Sequence, residues 1–588
     1  MKKIIISLVA LLVISFNLSA QQKPNIIIIL ADDLDAIVTP HFFSEVLPVV
    51  DSLKKNGIDF ENSFTPMSIC CPSRSALLSG KYGHETEVLR NGGEKGGWDD
   101  FIDDEPQALP AHLSKAGYRT AMIGKYMNGY ETNKGEMPPL PYGWTDGAVF
   151  VDPLMGTYKG YNYNLMTWND GVKMNDSVWH SENKKLEKYG KLPEDYSTDV
   201  LTAKAVRYIK NTELNDAQPF FLYLTPTPPH FPLPPAFRYE EKTKQRWLQD
   251  TILAQPNTFN DFGKLATEKE KKKPLDKSSW LRDTWKKRVR QQNRGDFHYG
   301  LMYEGKIPRS LKSFRQADWF YRMGSLYALN DMVREVIATL KANGEWENTL
   351  LIFTSDNGFQ FGYHALYHKG SPYEESIRVP LVITGGASLN LKTSTQIEDW
   401  IINLDLMPTI LDVAGIPIPD DVDGKSFKPF IEFNNNQPKT SRDQFIMEYI
   451  GPGMTTDFIA KHPKLIFKIM PSYVLDHPTF KAIRMKVEVE KNGMKQEQVF
   501  KYIEWEKYHG DFKFRKKLEN KDPKLLARIA TGNKKALKKK AKAEAIETEL
   551  YNITEDPYEM DNLLYYLPDA HISIAEKLRE KLYKELRK

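Results

Sequence analysis

The chain is predicted to be an α/β protein, with a large, mostly parallel sheet flanked by helices and a smaller C-terminal domain containing an antiparallel sheet. Three observations carry that prediction. Runs 24–30, 220–224 and 349–354 are dominated by apolar and β-branched residues, as strands are when both faces of a parallel sheet are covered. Helical stretches separate them, at 42–56, 109–116, 198–210, 318–340 and 405–414, and such alternation builds crossover units. Beyond about residue 430 the alternation stops, and 443–449, 481–488 and 498–508 read as strands in succession.

The division that follows is 1–20 as a leader, 21–430 as the main domain and 431–588 as the smaller α+β domain. The leader has Lys2 and Lys3, an apolar stretch at 4–16 too short to span a bilayer comfortably, and small residues at Ser19 and Ala20. That is a cleavable signal peptide. No cysteine follows the cut, so a lipid anchor there is not expected, and a periplasmic or secreted protein is. No later apolar run is long enough for a membrane span. The formal charge is +4; removing the two leader lysines leaves 4 − 2 = +2, so charge gives no reason to expect nucleic acid. The two cysteines of the 588 residues, Cys70 and Cys71, are adjacent and supply no disulfide framework.

In chain order, the first strand runs into Asp32 and Asp33. Two acids at the C-terminal edge of a central strand lie where open α/β sheets hold ligands. Either they cap the next helix or a cation holds them together. Cys70 is expected just ahead of a helix opened by Pro72 and closed by Gly80. Arg74 would point back at that anion-seeking helix end. Asn91 to Gly97 is a Gly-rich loop. The strand 119–123 ends at Gly124-Lys125. Asp170-Gly171 between 161–168 and 172–174 reads as a hairpin turn; its aromatics suit either sugar stacking or edge packing. After 220–224 a proline-rich loop, Thr225 to Pro232, holds His230 stiffly. Residues 240–315 read as a polar, basic surface insertion. The strand 349–354 brings Asp356 and Asn357 to the same sheet edge as Asp32 and Asp33. These are hard oxygen donors suited to Ca²⁺ or Mg²⁺. Lys534 to Lys542 holds six lysines, a probe for an anionic chain or a solvated face.

Cys70-Cys71-Pro72-Ser73-Arg74, followed by Leu77-Leu78-Ser79-Gly80, resembles the type I, formylglycine-dependent sulfatases of the alkaline phosphatase-like superfamily. Gly124-Lys125-Tyr126-Met127-Asn128 and Thr225-Pro226-Thr227-Pro228-Pro229-His230 are similar to segments of N-acetylglucosamine-6-sulfatases. Lys369-Gly370-Ser371-Pro372-Tyr373-Glu374-Glu375 also matches the family, as does the segment 549–559. The resemblance implies that a maturation enzyme converts Cys70 to formylglycine, the catalytic aldehyde. It implies Arg74, Lys125, His230 and Lys369 around the sulfate, and Asp32, Asp33, Asp356, Asn357 and residue 70 around Ca²⁺. His84, Asn128 and His364 are candidates for substrate contacts. Many members carry a histidine where this chain has Met127. The expected activity is hydrolysis of sulfate esters on sulfated saccharides. A phosphodiesterase or phosphonate hydrolase of the same superfamily, or a non-catalytic carbohydrate-binding relative, is the alternative.

Overall fold

The computed structural model describes residues 23–587 except 38–42, 133–135, 153, 176–177, 214–217, 250–313, 362–363, 365, 434–441, 452–478, 507–546, 560 and 567. The leader, most of the 240–315 insertion and the lysine run 534–542 lie outside the described residues.

Ten strands make one sheet. They are β1 (Asn25–Ala31), β2 (Ile58–Phe60), β3 (Arg119–Gly124), β4 (Asp146–Phe150), β5 (Asn164–Trp168), β6 (Lys185–Lys188), β7 (Phe220–Thr225), β8 (Thr349–Ser355), β9 (Leu381–Gly385) and β10 (Thr395–Ile397). Their spatial order is β10-β2-β9-β8-β1-β7-β3-β4-β5-β6. The central block β8-β1-β7-β3-β4 is parallel throughout. Antiparallel pairings flank it, β8 with β9 and β9 with β2 on one side, β4 with β5 and β5 with β6 on the other. The sheet is therefore mixed at its margins.

The apolar runs have a direct cause. In β1, Ile27 and Ile29 enter one hydrophobic cluster, and Ile26, Ile28 and Leu30 enter the other. Successive side chains point to opposite faces, and here both faces are covered. The first cluster includes Leu326, Met332 and Val336 of the long helix Phe314–Ala342; the second includes Met407, Ile410 and Leu411 of the helix Leu406–Val413.

Two local expectations are corrected. The stretch 42–56 is not one helix but two, Phe43–Val46 and Pro48–Asn56. Pro48 opens the second, because it lacks an N–H and its ring would clash with the preceding turn. The Asp170-Gly171 turn does not make a hairpin of its flanking runs. β5 pairs instead with β4 and β6, and Val172–Asn175 pairs with Val178–His180. Trp168 is buried against Gly147, where an added Cβ would lie 2.1 Å from the indole, so this aromatic serves packing.

A second sheet orders β11 (Gln444–Tyr449), β12 (Phe480–Lys491), β13 (Met494–Trp505) and β14 (Glu547–Asn552), antiparallel throughout. β12 and β13 are joined by Asn492-Gly493, both at positive φ (54° and 73°), the two-residue turn whose twist matches the strands. Phe445, Phe480, Tyr502 and Trp505 share a cluster with Phe64, Met67, Tyr373 and Trp400, so this sheet packs beside the segments that carry Cys70 and Lys369. Among the described residues no helix is long and apolar enough to cross a membrane.

Candidate active site

Strand register brings the polar residues together. Ala31 of β1 lies opposite Ser355 of β8, so Asp32-Asp33 and Asp356-Asn357 leave the sheet side by side. Thr225 of β7 lies opposite Gly124 of β3, which sets Lys125 next to the loop that carries His230. Gly124 has φ 122°, and a Cβ there would lie 2.2 Å from the Thr225 carbonyl oxygen; only glycine permits the close approach.

The helix α1 (Cys70–Ser79) points into this edge. Cys70 is its first residue rather than the residue before it, and the extended Ile69 is its cap. Every side chain of α1 is buried, and Gly80 closes it in the left-handed region at φ 71°. The Cys71 N–H donates to Asn91 Oδ1 at 2.9 Å, and the Asn128 N–H donates to Cys71 Sγ at 3.0 Å. Cys71 thus ties the helix start to two loops.

Cys70 Sγ stands 3.7 Å from Asp32 Oδ1 and accepts from Lys369 Nζ at 2.7 Å. Burial pushes its thiol up to about 12, against the pull of Lys125 and Lys369. Lys125 Nζ donates to Asp32 Oδ2 at 2.7 Å, and Lys369 Nζ also donates to Asp33. Arg74 Nε donates to Asp356 Oδ2 at 2.9 Å, its Nη1 to the Lys125 carbonyl at 2.7 Å, and its Nη2 lies 3.6 Å from Asp32. Burial alone would raise Asp32, but Lys125, His230 and Arg74 outweigh it and hold the carboxyl at about 2. For Lys125 and Lys369, burial opposes the charge, and Asp32 and Asp33 respectively overcome it and raise both.

His230 donates from Nδ1 to the Phe231 carbonyl, which leaves Nε2 facing Asp33 Oδ2 at 3.6 Å. Burial lowers its imidazole to about 4, despite the nearby Asp33 and Asp32. Its ring stacks on Tyr158 with centroids 3.8 Å apart, and Lys125 Nζ lies 5.1 Å from the centre of the Tyr158 ring.

The structure therefore gathers Asp32, Asp33, Cys70, Arg74, Lys125, His230, Asp356, Asn357 and Lys369 at one place. Ligand atoms of Asp32, Asp33, Cys70 and His230 all lie within 4.8 Å of one another. Asn357 Nδ2 donates to Asp33 Oδ1 at 2.7 Å, whereas its Oδ1 is buried with no hydrogen-bond partner among the described residues. An orphaned amide oxygen beside three carboxylates fits a hard divalent cation. His84 is not in this cluster: its Nδ1 bonds Glu448 at 2.8 Å. His364 is also elsewhere, buried and stacked on Tyr373 at 4.0 Å with Glu375 3.9 Å away. Asn128 adjoins the site through its main chain, and its side chain is half-buried. Met127 belongs to an apolar cluster with Tyr126 and Tyr130, so no proton-carrying group stands at that position.

Sequence reasoning missed Tyr158 and Arg322. Tyr158 sits in the short turn Leu154–Tyr158, and no pattern announces it. Arg322 donates to the Asp33 carbonyl at 2.6 Å and the Pro229 carbonyl at 3.2 Å, bracing both loops. Its signal was available: a basic residue among Trp319, Phe320, Tyr321 and Met323 on a buried stretch of helix.

The sulfatase family profile matches residues 24–416. The chain belongs to the sulfatase family. As a sulfatase it is a sulfuric ester hydrolase. It is 30% identical over 449 residues to the N-acetylglucosamine-6-sulfatase of Capra hircus, covering 74% of this chain and 67% of that one. It is 27% identical over 455 residues to the N-acetylglucosamine-6-O-sulfatase of Bacteroides thetaiotaomicron, covering 72% and 73%. In fold it is similar to a solved protein in complex with its substrate D-glucosamine-2-N,6-O-disulfate, with TM-score 0.60, 20% identity, and 96% and 98% of the two chains covered. The phosphonate monoester hydrolase of Silicibacter pomeroyi shares the fold at TM-score 0.58 and 19% identity, with 96% and 95% covered.

Proposed function

We propose that this sulfatase is exported and removes sulfate esters from sulfated saccharides, with glucosamine-type 6-sulfates as the first substrates to test. The observation that carries the reading is Cys70 itself: a buried side chain at a helix start, touched by Lys369 and facing Asp32. The names of the goat and Bacteroides relatives support the sugar. The leader supports export, to the periplasm or beyond. The hard donor set and the orphaned Asn357 oxygen support Ca²⁺, with Mg²⁺ as the alternative. The division at about residue 430 belongs to the same proposal.

Formylglycine at position 70, made from Cys70 by a maturation enzyme, supplies the oxygen nucleophile, and the cation supplies charge stabilisation beside it. The chain's own residues do the rest. Lys369 touches residue 70 and Lys125 touches the adjacent Asp32, and both ammonium groups take sulfate oxygens. Arg74 holds Asp356 and Asp32 in place from behind. Phe231 holds the Nδ1–H of His230, so Nε2 is the atom that faces the departing sugar oxygen, and it can pass a proton there only after first taking one up. Tyr158 covers the other face of that ring. Preorganised charge of this kind is usually the largest catalytic contribution.

The test is a desulfation panel of defined sulfated oligosaccharides, with formylglycine at position 70 verified by mass. Release of sulfate from glucosamine 6-sulfates is expected; no release from any member would overturn the reading. Relative rates on an aryl sulfate and a phosphonate monoester separate it from the phosphonate hydrolase alternative. An intact thiol at position 70, with saccharide binding but no turnover, would favour the non-catalytic relative.

A further inference from the structure

Among the described residues Arg90 has no ion-pair partner within reach, and Glu94 acts on it only at longer range. Its Nε is buried and has no hydrogen-bond partner among the described residues. Three other arginines are ion-paired: Arg74 is held by Asp356 and Asp32, Arg119 by Asp146 and Asp170, and Arg238 by Asp199 and Asp331. Each of those pairs favours the charged form. At Arg90 burial acts against the charge, and only Tyr449 and Glu94 weigh on the other side. A half-buried guanidinium whose buried Nε has no partner among the described residues is open to an added anionic acceptor.

The position is built, not incidental. The Leu89 N–H donates to the Lys95 carbonyl at 2.8 Å and the Gly97 N–H to the Arg90 carbonyl at 3.1 Å. Gly96 lies so close that a Cβ there would meet Arg90 Cβ at 2.7 Å, so this glycine lets the two strands of the loop touch. Asn91, the next residue, accepts the Cys71 N–H, which fixes the loop to the start of α1. From the other side, Tyr449 packs on Gly370, with its ring 3.5 Å from where a Cβ would stand, and Gly370 follows Lys369. Arg90 therefore sits one residue from Asn91, which touches the start of the helix that carries Cys70.

We infer that Arg90 is a subsite for a second oxyanion of the substrate, a sulfate or carboxylate on the sugar that carries the scissile sulfate or on its neighbour. A guanidinium recognises either group through paired N–H donors. The inference rests on the saccharide reading above and extends it to substrates with more than one anionic group.

The experiment compares kcat/KM on three glucosamine 6-sulfate disaccharides: one with a neutral neighbour, one with a second sulfate and one with a uronate carboxylate. The native enzyme should prefer one of the anionic arms, and which arm it prefers identifies the group. In Arg90→Ala that preference should fall about ten- to a hundredfold, mainly through KM. Arg90→Lys keeps the charge without the fork and should recover part of it. Unfolding midpoints of both variants check that the loop still folds, and the selectivity ratio is read within each variant, so a general loss of active protein cancels. No preference in the native enzyme, or an undiminished preference in Arg90→Ala, overturns the inference while leaving the sulfatase reading standing. A native enzyme inactive on every arm overturns the saccharide reading and the inference with it.

Discussion

Asp356→Ala is the perturbation whose effect can be worked out most fully. The carboxylate is buried and has two jobs in the folded chain: Oδ2 accepts from Arg74 Nε at 2.9 Å, and Oδ1 accepts from the Asp33 N–H at 3.1 Å. Breaking a buried pair by removing one partner costs about 3–5 kcal/mol. Arg74 keeps Asp32 at 3.6 Å and the Lys125 carbonyl at 2.7 Å, which places its share near the lower end, about 3 kcal/mol. The Asp33 N–H loses its acceptor for about 1 kcal/mol more. The expected loss is about 4 kcal/mol in guanidinium unfolding with EDTA present. If the proposed cation site takes calcium, the gap should widen. At a hundredfold excess over Kd calcium should stabilise the native protein by about 2.7 kcal/mol and the variant by nothing measurable. A loss under about 1 kcal/mol in EDTA would refute the role given to the Arg74 pair. An undiminished calcium gain in the variant would remove Asp356 from the cation site.

Three further outcomes follow from the same geometry. With its thiol pushed up to about 12 by burial, unconverted Cys70 stays protonated near neutral pH, and only the thiolate reacts. Iodoacetamide should therefore leave native Cys70 unlabelled and alkylate it after unfolding, and rapid native labelling would contradict the burial described. His230→Gln should lower kcat about a hundred- to ten-thousandfold on sugar sulfates and less on an aryl sulfate with an activated leaving group; equal losses on both would show that Nε2 does not serve the leaving oxygen. Gly124→Ala puts a Cβ 2.2 Å from the Thr225 carbonyl oxygen at φ 122°, so it should destabilise by about 3 kcal/mol or more, read by thermal unfolding.

The central sheet was legible because its strands are buried on both faces, and burial on both faces leaves a continuous apolar run. The strands β2, β9 and β10 span three, five and three residues, too few for an apolar run to stand out in the sequence. The site was legible where a side chain ends a central strand: Asp32, Lys125 and Asp356 could be placed by counting along β1, β3 and β8. It was illegible where position depends on a loop. Tyr158 reaches His230 through a turn that no periodicity marks, and Arg90 gains meaning only from what does not pair with it. The Asp170-Gly171 turn shows the converse. The turn exists, with Asp170 at φ 53°, but β5 was already committed to β4 and β6, and partner choice is a tertiary matter.

Charge at the centre gives the proposed cation a reason beyond its donor set. Asp32, Asp33 and Asp356 face Arg74, Lys125 and Lys369 within hydrogen-bond or ion-pair distance, three negative groups against three positive ones. His230, lowered to about 4 by burial, adds no charge near neutral pH. Left as it stands, the cluster is balanced and has little net pull on an incoming sulfate. The balance also keeps three carboxylates folded together, since each has a cation against it. A divalent ion on the orphaned Asn357 oxygen and its carboxylate neighbours would tip the site to +2, by the count 3 + 2 − 3. Lys125 and Lys369 would then be freer to leave Asp32 and Asp33 and turn to the substrate. On this argument the lysines have two sets of partners, carboxylates before the cation binds and sulfate after. Asp32 and Asp33 hold the two lysines protonated before the cation binds, and the sulfate would take over that part afterwards.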